Sequence, residues 1–316
     1  MRGNGLGRRR GGVQCVGVGH ERVGAGPRGV DAAPALDPGR AERALIRTAL
    51  DRLWRLIFTG SSFLFFFLGG IVLSYLVLPV LGLGRDELAS ARRCRRVVAR
   101  TWVLFHDYMR WTRLLLYDPR RVRLTLPAGP FVAIANHPTL VDVTALVAAL
   151  PDVAVVAKRA MIRSPLVGPV LLRCRHIDAG DGGAFSGVAV VEQALAHLRR
   201  GTSVLLFPEG TRSPEAGLGE FHAGAFQIAA RAGVPLVSIL VRCDPPTLMR
   251  GQSWYEIPKR TAVLSITQLP IALPAQARAA EAARAVREVY LRTLGLAPTA
   301  RDSARVSAPL ASAAGS

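Results

Sequence analysis

The sequence predicts an α/β fold, a mainly parallel mixed sheet flanked by helices, preceded by an N-terminal membrane-associated helical segment. Three observations predict it. After Pro119, short apolar runs of strand length alternate with helical runs, the pattern of strands joined by helical crossovers with both sheet faces covered. Before Pro119, no charged residue occurs from Leu56 to Gly84, a run of 29 residues that exceeds the ~18 apolar residues marking a bilayer-reaching segment. Half of the 316 residues are apolar, enough to bury the core of one or two domains.

Residues 1–41 are Gly- and Arg-rich, with Arg8-Arg9-Arg10-Gly11-Gly12 and no sustained hydrophobic period, and read as a disordered N-terminus. Residues 42–117 read as membrane-embedded and interfacial helices. A continuous helix over Leu56–Gly84 would be about 43 Å long, against ~30 Å of hydrocarbon. Gly69-Gly70 and Pro79 interrupt it, and arginines flank both sides: Arg40, Arg43, Arg47, Arg52 and Arg55 before, Arg85, Arg92, Arg93, Arg95, Arg96 and Arg100 after. Similar arginine counts on both flanks give no orientation by the positive-inside rule. A re-entrant hairpin with both ends cytoplasmic explains the symmetry, and a single tilted span is the rival; either puts the chain at the cytoplasmic face of the cell membrane, integral or monotopic. Trp102 and Trp111 among arginines suit a helix at the lipid headgroups, or one packed on the following domain.

Residues 118–296 read as the α/β domain and 297–316 as a flexible tail. The expected strands are Arg121–Leu126, Phe131–Ala135, Val153–Ala157, Ser203–Phe207, Leu236–Val241 and Ala262–Thr267. The expected helices are Val141–Leu150, Val188–Arg199, Ala223–Ala232 and Ala275–Leu294.

Charge narrows the classes of function. Lys and Arg number 41 against 22 acidic residues, a net +19, and the only lysines are Lys158 and Lys259. Arginine spread along the whole chain points to an anionic surface such as a membrane. With no helix-turn-helix, zinc-finger or RNP pattern, no specific nucleic-acid partner is expected. The alternative of a different class is a membrane-tethered basic binding protein without catalysis. Cysteines 15, 94, 174 and 243 form no C-x-x-C pair, and no histidines take a ligand spacing such as H-E-x-x-H, so no metal is expected.

Two segments can carry chemistry. Asn136-His137-Pro138-Thr139-Leu140-Val141-Asp142 follows the apolar strand, at the carboxyl end where open α/β sheets bind ligands. In a continuous helix, five steps of 100° would put His137 and Asp142 on different faces. Pro138 keeps His137 out of the helical region and suits the first helical position itself, so Asp142 can fold back on the imidazole. A carboxylate on one ring nitrogen fixes the tautomer and leaves the other as a general base. No G-x-S-x-G is present, so the base points to a bound hydroxyl rather than to an enzyme nucleophile. The second segment, Phe207-Pro208-Glu209-Gly210-Thr211-Arg212-Ser213, follows a strand and offers backbone N–H groups, hydroxyls and a guanidinium suited to phosphate; a Walker loop is absent.

Together these segments resemble the glycerolipid acyltransferase family, which carries a His-x4-Asp motif and a Phe-Pro-Glu-Gly-Thr-Arg-Ser signature in this order. Gly224-Ala225-Phe226 and Val234-Pro235-Leu236-Val237 agree as well, and the resemblance covers about residues 120–245. It implies that His137 deprotonates an acceptor hydroxyl and Asp142 orients His137. It further implies that Glu209, Gly210, Thr211 and Arg212 hold a lysophospholipid-type acceptor, with Arg212 on its phosphate. Acyl-CoA or acyl-carrier protein would be the donor substrate and membrane lipids the surroundings; no cofactor is implied. Between the two signatures the family has a glycine and, shortly after, Ile-Asp-Arg. Here Arg173-Cys174-Arg175-His176-Ile177-Asp178-Ala179 puts alanine in the arginine's place, and Arg173 or Arg175 is expected to supply the charge. The alternative is an acceptor without phosphate, a specialised lipid or secondary metabolite.

Overall fold

The computed structural model describes residues 38–84, 86–150, 152–181, 187–215, 217–271 and 277–297. The expected disordered N-terminus and C-terminal tail lie outside them, except residue 297 and residues 38–41, which are helical rather than disordered. The chain divides into two units, Met1–Ile46 and Arg47–Ser316. The described part of the first holds only the opening turns of helix α1 (Pro38–Val72); the rest of that helix and every other element belong to the second.

Helix α1 does not reverse. It runs through Gly69-Gly70 into a π turn, Leu73–Val77, and on into α2 (Leu78–Leu81). Pro79 explains the π turn: its ring would collide with the carbonyl four residues back. Widening the hydrogen bond to Leu78 N–H···O=C Leu73 makes room without a break. The re-entrant hairpin expected inside 56–84 is therefore not formed. The reversal comes after Gly82, and α3 (Glu87–Trp111), capped by the Asp86 carboxylate on the N–H groups of Leu88 and Ala89, returns along α1. Trp54 donates its indole N–H to Thr112 O, Phe58 packs on Tyr108 and Trp111, and Phe66 stacks on Trp102.

The two helices of this hairpin differ. Ser90, Cys94, Arg95, Val98, Phe105 and Met109 are buried on α3, which packs on the sheet. Arg95, expected among headgroup arginines, is 2% exposed and donates to the Asp152 carboxylate and to Cys174 O. On α1, Leu50, Leu53, Ile57, Leu64, Leu68 and Ile71 remain exposed at helical spacing. Residues Glu42–Leu81 make one helical run long and apolar enough to cross a membrane.

The α/β domain contains, in chain order, β1 (Leu115–Leu116), a 3-10 turn Pro119–Arg121, β2 (Val132–Ala135), α4 (Asp142–Ala149), β3 (Val153–Ala157), α5 (Arg159–Ile162) and α6 (Gly168–Arg173). Then come β4 (Ile177–Asp178), α7 (Val188–Arg199), β5 (Ser203–Leu206), α8 (Gly224–Ala232), β6 (Leu236–Asp244), β7 (Ala262–Leu269) and α9 (Ala279–Leu294). The sheet order is β1-β7-β6-β2-β5-β3-β4, parallel throughout except for the β6–β7 pair. The alternation of β2 serves both faces: Val132 and Ile134 join the core under α7, α8 and α9, while Ala133 and Ala135 join the core under α3 and α4. The expected strand Arg121–Leu126 is not formed: β1 pairs with only the first two residues of β7, and residues 122–126 make no backbone ladder with the rest of it. Only the Gln268 side chain reaches Thr125, exchanging hydrogen bonds with its backbone N–H and C=O. Periodicity does not reveal α5, α6 or the two-residue strands β1 and β4, which are too short to show a period.

Candidate active site

Parallel pairing assembles the site. Ile134 of β2 lies opposite Leu206 of β5, so counting three residues on from each strand brings His137 and Glu209 to the same height at the carboxyl edge. The chain closes a gap of 72 residues there with hydrogen bonds. His137 N–H donates to Glu209 Oε1 at 2.9 Å, Ser213 N–H to His137 O at 2.7 Å, and Ser213 Oγ to Glu209 Oε1 at 2.8 Å.

Helix α4 starts at Asp142, one residue after the expected start at Val141, and Pro138 does not hold the first helical position that its ring suits. Residues 138–141 form instead an irregular turn closed by the Asp142 carboxylate. Thr139 N–H donates to Oδ2 at 2.6 Å and Thr139 Oγ1 to Oδ1 at 2.5 Å, a reach-back like that of a capping box. The same Oδ2 stands 3.0 Å from His137 Nδ1. Asp142 is fully buried, and a buried carboxylate is tolerated where each oxygen is bonded, as here. The imidazole packs on Phe207, ring centroids 4.4 Å apart, and its Nε2 makes no hydrogen bond among the described residues. The imidazole thus has one nitrogen anchored and the other open.

Glu209 has a different place from the one expected. It is 6% exposed, and its second oxygen accepts Gly219 N–H at 2.7 Å, so both oxygens are bonded within the chain. Burial pushes its carboxyl up from the usual carboxylate range, and the hydrogen bonds from His137, Gly219 and Ser213 pull part of that back. Gly219 has to be glycine for this contact, because a Cβ there would lie 2.8 Å from Glu209 Oε2. Gly210 closes the turn with its N–H on Phe207 O at a φ of 67°, which glycine takes without strain. Thr211 and Arg212 come next, both partly exposed. Arg212 Nη1 donates to Leu248 O and Met249 O, both at 3.0 Å, which leaves Nε and Nη2 without a partner among the described residues.

Arg175 is not brought to the site. It lies just after α6, toward the opposite edge of the sheet, and pairs with Glu87 at the start of α3 at 2.8 Å. It does not replace the charge missing at Ala179. A cation that does lie at the carboxyl edge is Lys158, exposed directly after β3. Its rarity, one of two lysines in a chain of arginines, is a usable sequence signal. Asn136, to which the motif assigns no role, exchanges hydrogen bonds between its side-chain amide and Val241 N–H and O, extending the β2–β6 ladder by one peptide-like rung. Nothing in the sequence foretells that rung.

Residues 119–242 match the model of the Acyltransferase family. Over 143 residues the chain is 28% identical to the 1-acyl-sn-glycerol-3-phosphate acyltransferase LPAT1, chloroplastic, of Arabidopsis thaliana, covering 43% of this chain and 40% of that protein. Over 141 residues it is 30% identical to the 1-acyl-sn-glycerol-3-phosphate acyltransferase alpha of Mus musculus, covering 43% and 49%. The chain thus spans less than half the length of these relatives. The crystal structure of the 1-acyl-sn-glycerophosphate acyltransferase PlsC from Thermotoga maritima shares the fold, with a TM-score of 0.55 and 19% identity over 79% of this chain and 95% of that one.

Proposed function

We propose that this chain, whose residues 119–242 belong to the glycerolipid acyltransferase family, is a membrane-associated O-acyltransferase. It moves a fatty acyl group from a thioester, acyl-CoA or acyl-carrier protein, to the free hydroxyl of a lysophosphatidate-type acceptor in phospholipid biosynthesis. The observation that carries this reading is the anchored imidazole: Nδ1 held 3.0 Å from a buried carboxylate, Nε2 open, on the edge that Arg212 shares.

The acceptor O–H gives its proton to His137 Nε2 as its oxygen attacks the thioester carbonyl. The Asp142 carboxylate keeps the Nδ1–H tautomer and stabilises the imidazolium. The C–O bond forms, the tetrahedral intermediate expels the sulfur, and the thiolate takes the proton back from Nε2. No covalent enzyme intermediate is involved. Glu209 acts through the backbone of His137, fixing it against the 207–213 turn, and is a positioning residue. Arg212 Nε and Nη2, with Lys158 from the neighbouring edge, are the cations offered to the acceptor phosphate. The exposed apolar residues of α1 keep the enzyme where acceptor and acyl chains already partition, which raises their local concentration. Ala179, where the family carries arginine, favours a second reading in which the acceptor lacks phosphate.

The test supplies detergent-solubilised full chain with labelled acyl donors and a panel of acceptors, 1-acyl-glycerol-3-phosphate and its phosphate-free analogue among them. His137→Ala loses about 100-fold or more in turnover with acceptor binding retained; turnover equal to the parent's removes the mechanism. Arg212→Ala raises KM for the phosphate acceptor alone. Equal use of the phosphate-free analogue selects the second reading.

A further inference from the structure

The open end of the α1–α3 hairpin carries a groove of about 490 Å³ lined by Leu50, Asp51, Trp54, Arg55, Trp111 and Arg113, none of which belongs to either catalytic segment. We propose that it binds a single bilayer phospholipid with an anionic headgroup, tail along Trp54 and Trp111, phosphate on Arg113. The inference rests on the membrane association proposed above and is independent of the acyl-transfer chemistry.

Three observations carry it. The first is level. The groove lies at the N-terminal boundary of the charge-free run, just before Leu56, and the hydrogen bond from Trp54 to Thr112 O sets both tryptophans at one height. Paired tryptophans at the end of an apolar run mark the headgroup layer. Leu50 and Trp54 also border the exposed apolar stripe of α1, so a lipid chain enters from the side without crossing protein.

The second is the state of the charges. Arg55 is consumed internally: Nε donates to Asp51 at 2.7 Å and Nη2 to Thr261 Oγ1 at 3.2 Å. That leaves the wall close to neutral. The Arg113 side chain has no partner among the described residues, and neither has the Trp111 indole N–H. One guanidinium and one indole N–H at the rim of an apolar groove complement a phosphate on an acyl glycerol.

The third is backbone conformation. Arg113 has φ 59°, closing α3 in a turn where Leu114 N–H reaches Met109 O, a position that glycine takes at no steric cost. Arg175 closes α6 in the same way and has Glu87 as the partner of its side chain. At Arg113 the strain is equal, and no described residue partners the side chain.

The experiment uses full-length protein carrying Trp102→Phe and Trp254→Phe, so that Trp54 and Trp111 report. Phosphatidylglycerol or phosphatidylcholine with brominated acyl chains is added at equal mole fraction in detergent micelles, and sedimentation with phosphatidylcholine vesicles is measured alongside. The expected result is sedimentation with the vesicles and at least threefold stronger quenching by brominated phosphatidylglycerol. Arg113→Gly abolishes that difference with its thermal midpoint unchanged or raised. Arg52→Gln, which removes an exposed charge from the same helix outside the groove, keeps the difference. Equal quenching by the two lipids, or an equal effect of Arg52→Gln and Arg113→Gly, overturns the groove and leaves membrane association standing. Absence from the vesicles overturns both.

Discussion

The site and the hairpin handle their misplaced groups in opposite ways. Around His137, polar groups are buried and each is answered within the chain: Asp142 by Thr139 and His137, Glu209 by His137, Ser213 and Gly219. Along α1, apolar groups are exposed, with Leu64 65% and Leu68 57% accessible, and nothing described in the second unit covers them. A buried polar network is costly if half made, so it has to be complete, and it then holds a geometry. An exposed apolar face of this length calls for an apolar partner outside the described chain. The first region is organised by the protein and the second by its surroundings.

The comparison breaks first at Glu209. Glu209→Ala leaves the N–H groups of His137 and Gly219 and the hydroxyl of Ser213 without their acceptor, and is expected to cost about 3 kcal/mol in urea unfolding and to lower turnover with it. A loss below about 0.5 kcal/mol would mean the tie between the two motifs is dispensable.

The hairpin should behave in the reverse sense. Leu68→Glu removes no buried contact, so unfolding in detergent changes by no more than about 0.5 kcal/mol. Vesicle flotation should weaken by tens of fold, about 2 kcal/mol for a charge set into apolar lipid. Unfolding that shifts more than flotation would reassign α1 to the protein core.

The smallest effect sharpens how the core is tied. Burial holds the His176 imidazole down to about 3 and that of His197 to about 4, against an ordinary value near 6.5. The folded state therefore binds fewer protons than the unfolded one across that window. The stability present above about pH 6.5 is lost as the pH falls toward 4 and then 3. His176 Nδ1 accepts the N–H of Val155 in β3, which an imidazolium cannot do. His176→Asn keeps an acceptor that does not titrate, and should flatten the fall of thermal midpoint between pH 6.5 and 4 by about one proton's worth. An unchanged slope would place the acid sensitivity elsewhere.

Much of the fold was legible because it is local. The runs at Val132–Ala135, Val153–Ala157 and Ser203–Leu206 are continuous apolar stretches of strand length, and Val188–Arg199 has a helical period. The errors fell where a neighbour overrides the local signal. Arg121–Leu126 reads as a strand but meets β7 only through the Gln268 side chain among the described residues; Gly69-Gly70 reads as a break and stays helical within a long apolar helix. Arg95 and Arg175 show the same limit for charge: identical in the sequence to surface arginines, one is locked under α3 by Asp152 and the other turned to Glu87.

What the sequence by itself determined is the chemistry available: a histidine followed by a proline, an aspartate five residues on, a Gly-Thr-Arg turn after a strand, and an uncharged run too long for an ordinary core helix. Those are properties of residue type and spacing, set by dihedral limits and by hydrophobicity. What only the tertiary structure decided is which of these groups meet and which are used up internally: Glu209 drawn inward to hold His137, Arg175 spent on α3, the Arg113 side chain left without a partner among the described residues beside two tryptophans. The physical reason is that a buried charge or donor must be satisfied by whatever the strand order and register bring within about 3 Å, and register is a long-range property that no short stretch of sequence contains.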